Sequence, residues 1–249
     1  MNKYIYWILS LIFLGIAFQS HAQAVKGALI GGVNFTQVDG DEIYGFKRVG
    51  ANVGGAAIIP FTDKWSLTVE TIFSMEGSRQ KKLKRNDGVV DGWIEDTLHI
   101  NPYNDSTWFC VNGAYNLHLD YVRVPILVHY NDRNLSLGAG FQYGRLVRIK
   151  EQEQGMYNTT AKAEEAYKNN DLSILADIKY RIYGGLFFNA RYSYSLISIR
   201  DREFHYSIYN PAETFSRKQY HNTITIRLMW VINDRGESLK SQKKDKYSF

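Results

Sequence analysis

In several runs of the sequence apolar residues alternate with small, polar or charged ones, and acidic and basic side chains fall in the second set. Because successive side chains of a strand point to opposite faces, this spacing places the charges on one side of each run. Carboxylates and guanidinium groups that leave bulk water must be paired to be tolerated. The sequence predicts one salt-bridge network, formed by Glu70, Glu76, Arg123, Asp177, Lys179, Arg181, Arg191 and Arg227.

Hydrolytic chemistry would need a nucleophile, a histidine and a carboxylate that converge on one point. His99, His118 and His205 lie in or near polar segments rich in Asp and Ser. No spacing among them selects a catalytic triad. The sequence therefore predicts a protein that is not an enzyme and that needs no cofactor.

Two acidic clusters could gather a hard cation such as Ca²⁺, which prefers oxygen ligands. Neither cluster forms a twelve-residue calcium loop, so solvated loop charge is the preferred interpretation and no metal site is predicted. The clusters are Asp39, Asp41 and Glu42, and Asp87, Asp91, Glu95 and Asp96.

The elements that must position the charges are long alternating strands, seen most clearly at residues 119–149. Two alternating runs are joined there by a polar turn at residues 131–134. Each run has one apolar or aromatic face, and the other face is small or polar. Runs of about 9–11 residues with one apolar face have the length that a tilted strand needs to cross a bilayer.

The same plan repeats along the chain and gives eight strands. Three of the connections are short and four are long, as in bacterial outer-membrane barrels with short periplasmic turns and longer extracellular loops. The sequence predicts an all-β protein, an eight-stranded antiparallel up-and-down transmembrane β-barrel of the outer membrane. The strands are expected near residues 25–38, 49–59, 65–76, 119–130, 135–149, 171–183, 186–196 and 218–232.

A soluble lipocalin-type barrel also has eight strands, but its outer surface faces water and is polar. Here the apolar face is the outer one and the charges lie inside, which favours the membrane barrel. Pro125 stands within a strand, where it cannot donate to a neighbour, so we expect a bulge or a missing hydrogen bond there.

The ends of the chain differ from the strands. Residues 1–22 combine an apolar stretch with Ser20-His21-Ala22, a pattern typical of an export signal. Cleavage would leave Gln23, or Val25, at the mature end, and a retained anchor is the alternative. A net charge of +5 gives no reason to expect nucleic acid as a partner. The predicted parts are a signal peptide at 1–22, the barrel at 23–233 and a basic periplasmic tail at 234–249.

Several short motifs, in this order and spacing, carry a resemblance to a known family. They include Gly31-Gly32-Val33-Asn34-Phe35, Trp65-Ser66-Leu67, Tyr121-Val122-Arg123-Val124-Pro125, Gly138-Ala139-Gly140 and Ala190-Arg191-Tyr192-Ser193-Tyr194. The chain resembles the PorT-type outer-membrane β-barrel family of Bacteroidetes over nearly its whole mature length.

The chain departs from that family at two places. Family members usually carry Glu where Arg123 stands, which reverses one interior charge. Many of them also end on an aromatic strand residue, whereas this chain continues past Ile232, so that Trp230 or Phe249 could serve as the assembly signal. The resemblance implies an accessory role in type IX-like protein secretion, with envelope or secretion proteins as partners beside the outer-membrane lipid.

The interior of an eight-stranded barrel is just wide enough for side chains to fill it. We therefore expect a filled lumen, with Glu70 or Asp177 paired to Arg123, Arg191 or Arg227. A small-ligand or solute-binding and transport barrel is the alternative function, and it would need an open path along the barrel axis.

Overall fold

A computed structural model describes residues 25–41, 43, 45–80, 115–153, 156–157, 166–205 and 214–232. Ten strands form in this part of the chain, and they pair antiparallel in one sheet. They are β1 Lys26–Asp39, β2 Arg48–Pro60, β3 Trp65–Gln80, β4 Tyr115–Asp132, β5 Leu135–Glu153, β6 Met156–Tyr157, β7 Asn170–Tyr183, β8 Leu186–Ser195, β9 Arg200–His205 and β10 Thr214–Val231.

The sheet closes on itself, because β1 pairs with both β2 and β10. Val33, for example, lies opposite Ala51 on one side and Ile226 on the other. Eight strands form the ring in the order β1, β2, β3, β4, β5, β7, β8 and β10, while β6 and β9 extend it at the end with the long connections. The predicted eight-stranded up-and-down barrel is confirmed.

The two faces of the sheet differ as the alternation predicted. Large apolar side chains stand exposed on the outside, among them Leu29, Phe141 and Trp230 at 60–62% exposure. Polar and charged side chains line the inside and are buried. A wall with this polarity suits a barrel whose outer surface meets lipid.

Pro125 interrupts the pairing of β4 with β3. The register stops at Ile126 and resumes at Arg123, and the residues between them have no partner on β3. Proline has no N–H group to donate, which confirms the expected local loss of hydrogen bonding. The bulge of the β4–β5 pair lies elsewhere, between Asp120 and Tyr121.

The strands extend further than predicted at the end with the long connections. β3 continues to Gln80 and β4 begins at Tyr115, inside the segment expected to be a loop. β9 and the first residues of β10 occupy part of another predicted connection, residues 200–216. At the start of β4 the alternation is present, but its apolar set, Tyr115, Leu117 and Leu119, is buried inside the barrel, the reverse of the membrane-facing part of the wall.

Several sequence predictions lie outside the described residues. These are the signal peptide at 1–22, the tail at 234–249, and the acidic cluster between Asp87 and Asp96. In the part of the chain that the structure describes, no helix has the length and apolar character to cross a membrane.

Candidate functional site in the barrel interior

Glu70 is the centre of the interior network. Its carboxylate, on β3, accepts two hydrogen bonds from Arg191 at 2.8 and 2.9 Å and two from Arg227 at 2.9 and 3.0 Å. The arginines belong to β8 and β10, which are not neighbours of β3 in the ring. All three side chains are buried. These bonds therefore span the lumen and tie its opposite walls together.

Asp177, on β7, forms the second arm of this cluster. Arg191 donates to its Oδ2 at 2.7 Å, and the Nε2 atom of His129 lies 2.7 Å from its Oδ1. Arg227 reaches the same carboxylate only at 3.8 Å. Lys179 is buried on the same strand and lies near enough to feel the charges of Asp177 and Glu70. This level of the interior thus holds two carboxylates and three cations.

A second cluster surrounds Arg123, nearer the end with the long connections. Its guanidinium donates to both oxygens of Glu76 at 2.7 and 2.6 Å and also to Asp171. The same group lies 4.4 Å from the ring centre of Tyr121, a cation–π contact. The Tyr121 hydroxyl is in turn 3.1 Å from Nε2 of His221. Here one guanidinium is shared by two carboxylates.

Neutral side chains connect the wall to this second cluster. Asn34 of β1 donates to the Ser74 hydroxyl at 2.9 Å, and Ser74 donates to Glu76 at 2.8 Å. Thr225 of β10 donates to the Asn34 carbonyl oxygen at 2.8 Å. The carboxylate of Glu76 is therefore held on two sides, by Arg123 and by this chain of hydroxyl and amide groups.

Glycines on the inner face leave room for the long side chains. A Cβ atom on Gly32 would lie 2.3 Å from the Cβ of Arg227, and one on Gly138 would lie 2.4 Å from the His129 ring. Real Cβ atoms are essentially never that close to another heavy atom. The small inner residues and the bulky charged ones are thus parts of the same packing arrangement.

Apolar clusters close the interior at both ends. The cluster beside the short turns contains Ala28, Ile30, Met229 and Val231, with Ala56, Ile58 and Phe187 against it. The cluster at the other end contains Val38, Ile43, Tyr115, Leu117, Leu119, Tyr121, Leu146, Ile149, Tyr167 and Ile199. The ionic network lies between them, and its acidic and basic side chains are at most 5% exposed.

A small polar cap lies over the second apolar cluster. Glu151 accepts hydrogen bonds from Tyr115 at 2.8 Å, from Tyr167 at 3.1 Å and from Arg200 at 2.8 Å. The Arg200 guanidinium also lies 4.9 Å from the Tyr167 ring centre. Burial raises the pKa of Tyr167, with the charge of Glu151 acting in the same direction. The phenol therefore keeps the proton that it donates to Glu151.

Seven of the eight predicted network residues are buried in the interior; Arg181 is the correction. Its guanidinium lies at the end with the short turns, 4.7 Å from the ring centre of Phe187, and donates to the Gly184 carbonyl oxygen at 3.1 Å. Asp171 was missed, although it has the same strand parity as Asp177 and alternation alone could have found it.

One arrangement resembles a catalytic triad in its order of groups. The Thr68 hydroxyl lies 3.1 Å from Nδ1 of His129, whose Nε2 faces Asp177. Thr68 and His129 are both 0% exposed, so a substrate has no access to the hydroxyl. The geometry orients the imidazole and holds Asp177 in place.

The other candidate residues whose side chains the structure describes contact neighbouring groups of the protein itself. His118 lies 2.7 Å from Asp120, Asp39 accepts from Gln37 at 2.6 Å, and Asp41 accepts from the Ile43 amide at 2.8 Å. No group of three His, Cys, Asp or Glu side chains within the described ranges is arranged to hold a metal ion.

The chain was compared with curated proteins and with solved structures. No curated protein matches the sequence. Among solved structures, Ail of Yersinia pestis is similar at 11% identity and a TM-score of 0.43, covering 84% of this chain and 99% of its own. Neisserial surface protein A has 7% identity and a TM-score of 0.43, with coverages of 82% and 96%. The outer membrane protease OmpT of Escherichia coli has 11% identity and a TM-score of 0.34, with coverages of 86% and 98%.

A family model described as an outer membrane protein beta-barrel domain matches residues 19–201, which is more than half of the chain. The closed ring of antiparallel strands and the apolar outer wall agree with that match. The chain therefore belongs to the outer-membrane protein β-barrel domain family and is a protein of the outer membrane.

Proposed function

We propose that the chain is a non-enzymatic outer-membrane barrel whose lumen is filled by its own side chains and that acts as a structural or accessory protein. The observation that carries this proposal is the ionic network that spans the lumen between two apolar clusters. A barrel closed in this way works through its surface and its connections, because its axis offers no passage.

The balance between acidic and basic side chains inside the barrel supports a lumen that is always filled by these side chains. Buried ions are tolerated when they are paired and hydrogen-bonded, and an unpaired one is strongly destabilising. The two clusters together contain four carboxylates and four cations in contact or close proximity. They are Glu70, Glu76, Asp171 and Asp177, and Arg123, Lys179, Arg191 and Arg227.

The accessory task that we propose is protein secretion of the type IX kind. The resemblance of the sequence to PorT-type barrels supports this, and the partners would be envelope or secretion proteins beside the surrounding lipid. The long connections, with residues 81–114 the longest, offer the surface for such partners. Mild crosslinking of intact cells followed by purification should recover defined envelope proteins; recovery of none would count against the secretion role.

A small polar ligand or solute is the second candidate, and one observation favours it. Gln219 and Thr223 are buried on the inner wall and have side-chain atoms without a hydrogen-bond partner in the described structure. Buried polar atoms of this kind commonly bind water or a polar ligand. Both lie on β10, two residues to either side of His221.

Conductance measurements separate the two functions. The purified full-length protein in a planar lipid bilayer should show no steady conductance, and vesicles that contain it should not swell in small sugars. A porin with 16–18 strands provides the open-channel control. Stable nanosiemens-scale channels from the unmodified protein would refute the filled lumen and favour transport.

A further inference from the structure

The outer face of β5 changes from apolar to basic where the membrane-facing band ends. Leu135, Leu137, Phe141 and Tyr143 point outward and are 42–60% exposed. Beyond Tyr143 the exposed side chains of this strand are Val147 and three cations, Arg145, Arg148 and Lys150. We call these three residues the β5 basic strip. The apolar part spans nine residues, about the length that a tilted strand needs to cross the hydrocarbon layer, so the strip lies at headgroup level.

Two residues of the strip are held in place by neighbouring strands. Asn170 of β7 accepts hydrogen bonds on its Oδ1 from Arg145 and from the Tyr143 hydroxyl, both at 2.8 Å. Arg148 donates from Nε to Oδ2 of Asp120, which is itself fully buried. The guanidinium groups are therefore oriented before any ligand arrives, and most of the Arg145 donors remain available.

The charge of the strip is only partly balanced. Arg148 neutralises Asp120. In the described part of the chain, Arg145 bonds to a neutral amide and Lys150 has no ion-pair partner. Two positive charges therefore remain at the edge of the apolar band.

Another part of the barrel wall has a different character. Asp39 accepts hydrogen bonds there from Gln37 and Asn222, beside the stacked rings of Tyr194 and Tyr220. With the exposed Arg217 and Lys218 of the neighbouring β10, this side carries charges of both signs, whereas the three exposed charges of β5 from Arg145 to Lys150 are all positive.

We infer that the β5 basic strip binds the phosphate groups of a phosphorylated glycolipid in the outer leaflet. Arginine presents a planar set of donors that matches phosphate, and basic residues beside a membrane surface attract anionic headgroups. The acyl chains would lie along the apolar face below Tyr143. This inference rests on the proposed orientation, in which the long connections face outward, but it does not depend on the filled lumen.

Titration with bis-phosphorylated lipid A in uncharged micelles tests the inference, with native mass spectrometry of the refolded full-length protein as the readout. The unmodified protein should bind this lipid more tightly than the same lipid without phosphates. Lys150→Gln should weaken binding about five-fold and the Arg145→Gln, Lys150→Gln pair about 25-fold, as expected for the attraction of each basic residue to an anionic membrane. Lys64→Gln removes an exposed lysine from a short turn at the opposite end and should change nothing.

Some results would overturn the binding site, and others would overturn only the choice of lipid. Equal binding of the dephosphorylated lipid, or an equal loss in Lys64→Gln, would overturn the site. Equal binding of phosphatidylglycerol, or displacement by equimolar inorganic phosphate, would show that the strip does not select a glycolipid and would overturn that assignment. A urea unfolding curve for each variant shows that it is folded. An unmodified protein that conducts nothing and does not bind the phosphorylated lipid would refute this inference and leave the proposed function intact.

Discussion

Replacing Glu70 by glutamine removes one negative charge and almost no volume from the centre of the barrel. In the native protein this carboxylate accepts four hydrogen bonds from two arginines. After the change, Arg191 keeps the Asp177 carboxylate at 2.7 Å, but Arg227 keeps only neutral acceptors, Asn189 and the new amide oxygen, with the Asp177 carboxylate at 3.8 Å. Arg227 is therefore the group left without compensation in a buried position.

Removing one partner of a buried ion pair typically costs about 3–5 kcal/mol. We expect Glu70→Gln to lower the free energy of unfolding by about that amount. Replacing both partners by neutral groups is often far less costly. The double variant Glu70→Gln, Arg227→Met should therefore regain much of the loss, which makes the coupling between the two residues measurable as a double-mutant cycle.

Urea unfolding of the protein in lipid vesicles, followed by tryptophan fluorescence, measures these differences as a shift in midpoint at constant slope. Asp201→Asn is the matched control, because Asp201 is 45% exposed and pairs with Lys168 at 3.3 Å. Exposed pairs contribute at most about 1 kcal/mol. A midpoint shift for Glu70→Gln no larger than that of Asp201→Asn would refute the reasoning, as would a double variant less stable than the single one.

Further predictions concern packing, orientation and permeability. Gly138→Ala places a methyl group against buried side chains and should cost about 1–3 kcal/mol of unfolding free energy, whereas Gly31→Ala meets no atom within 4 Å and should be nearly neutral in the same urea assay. Protease added to intact cells should cut within residues 81–114, and cleavage confined to residues 234–249 would contradict the orientation. In planar bilayers Glu70→Gln should remain as silent as the unmodified protein, because the apolar clusters at the two ends are unchanged; channel opening on this one change would show that the ionic network alone closes the lumen.

Alternation along the strands was enough to predict the ring and the faces of its residues. A strand has a fixed period of two, so placing Phe141 outside also places Gln142 inside. The length of the strands and the alternation of short and long connections then limited the predicted fold to a membrane barrel. Neither signal depends on which residues lie opposite one another across the lumen.

The partners of the interior charges could not be predicted by the same reasoning. The odd or even position of a residue in its strand determines which face it lies on, but not how far along the barrel axis it lies. The tilt and stagger of the strands determine which residues reach the same level of the interior. Arg123, Arg191 and Arg227 were equal candidates as partners of Glu70 or Asp177; Arg191 and Arg227 contact Glu70, whereas Arg123 contacts Glu76 and Asp171. Arg181 has the parity of Lys179 but lies two residues nearer the turn, beyond the network. β9 was missed because strands outside the membrane need no apolar face.

The positions of the inner glycines are explained by the space that the arginine side chains need, and not by charge alone. An arginine side chain needs room beside its own strand before it can cross the lumen of an eight-stranded barrel, since such an interior is normally filled completely. The sequence places glycine at the cross-strand partner of two arginines: Gly32 is opposite Arg227, and Gly144 is opposite Arg123, where an added Cβ would lie 2.7 Å from the guanidinium. A larger residue at either glycine would displace an arginine from its carboxylates, so the glycines decide the ion pairing as directly as the acids do.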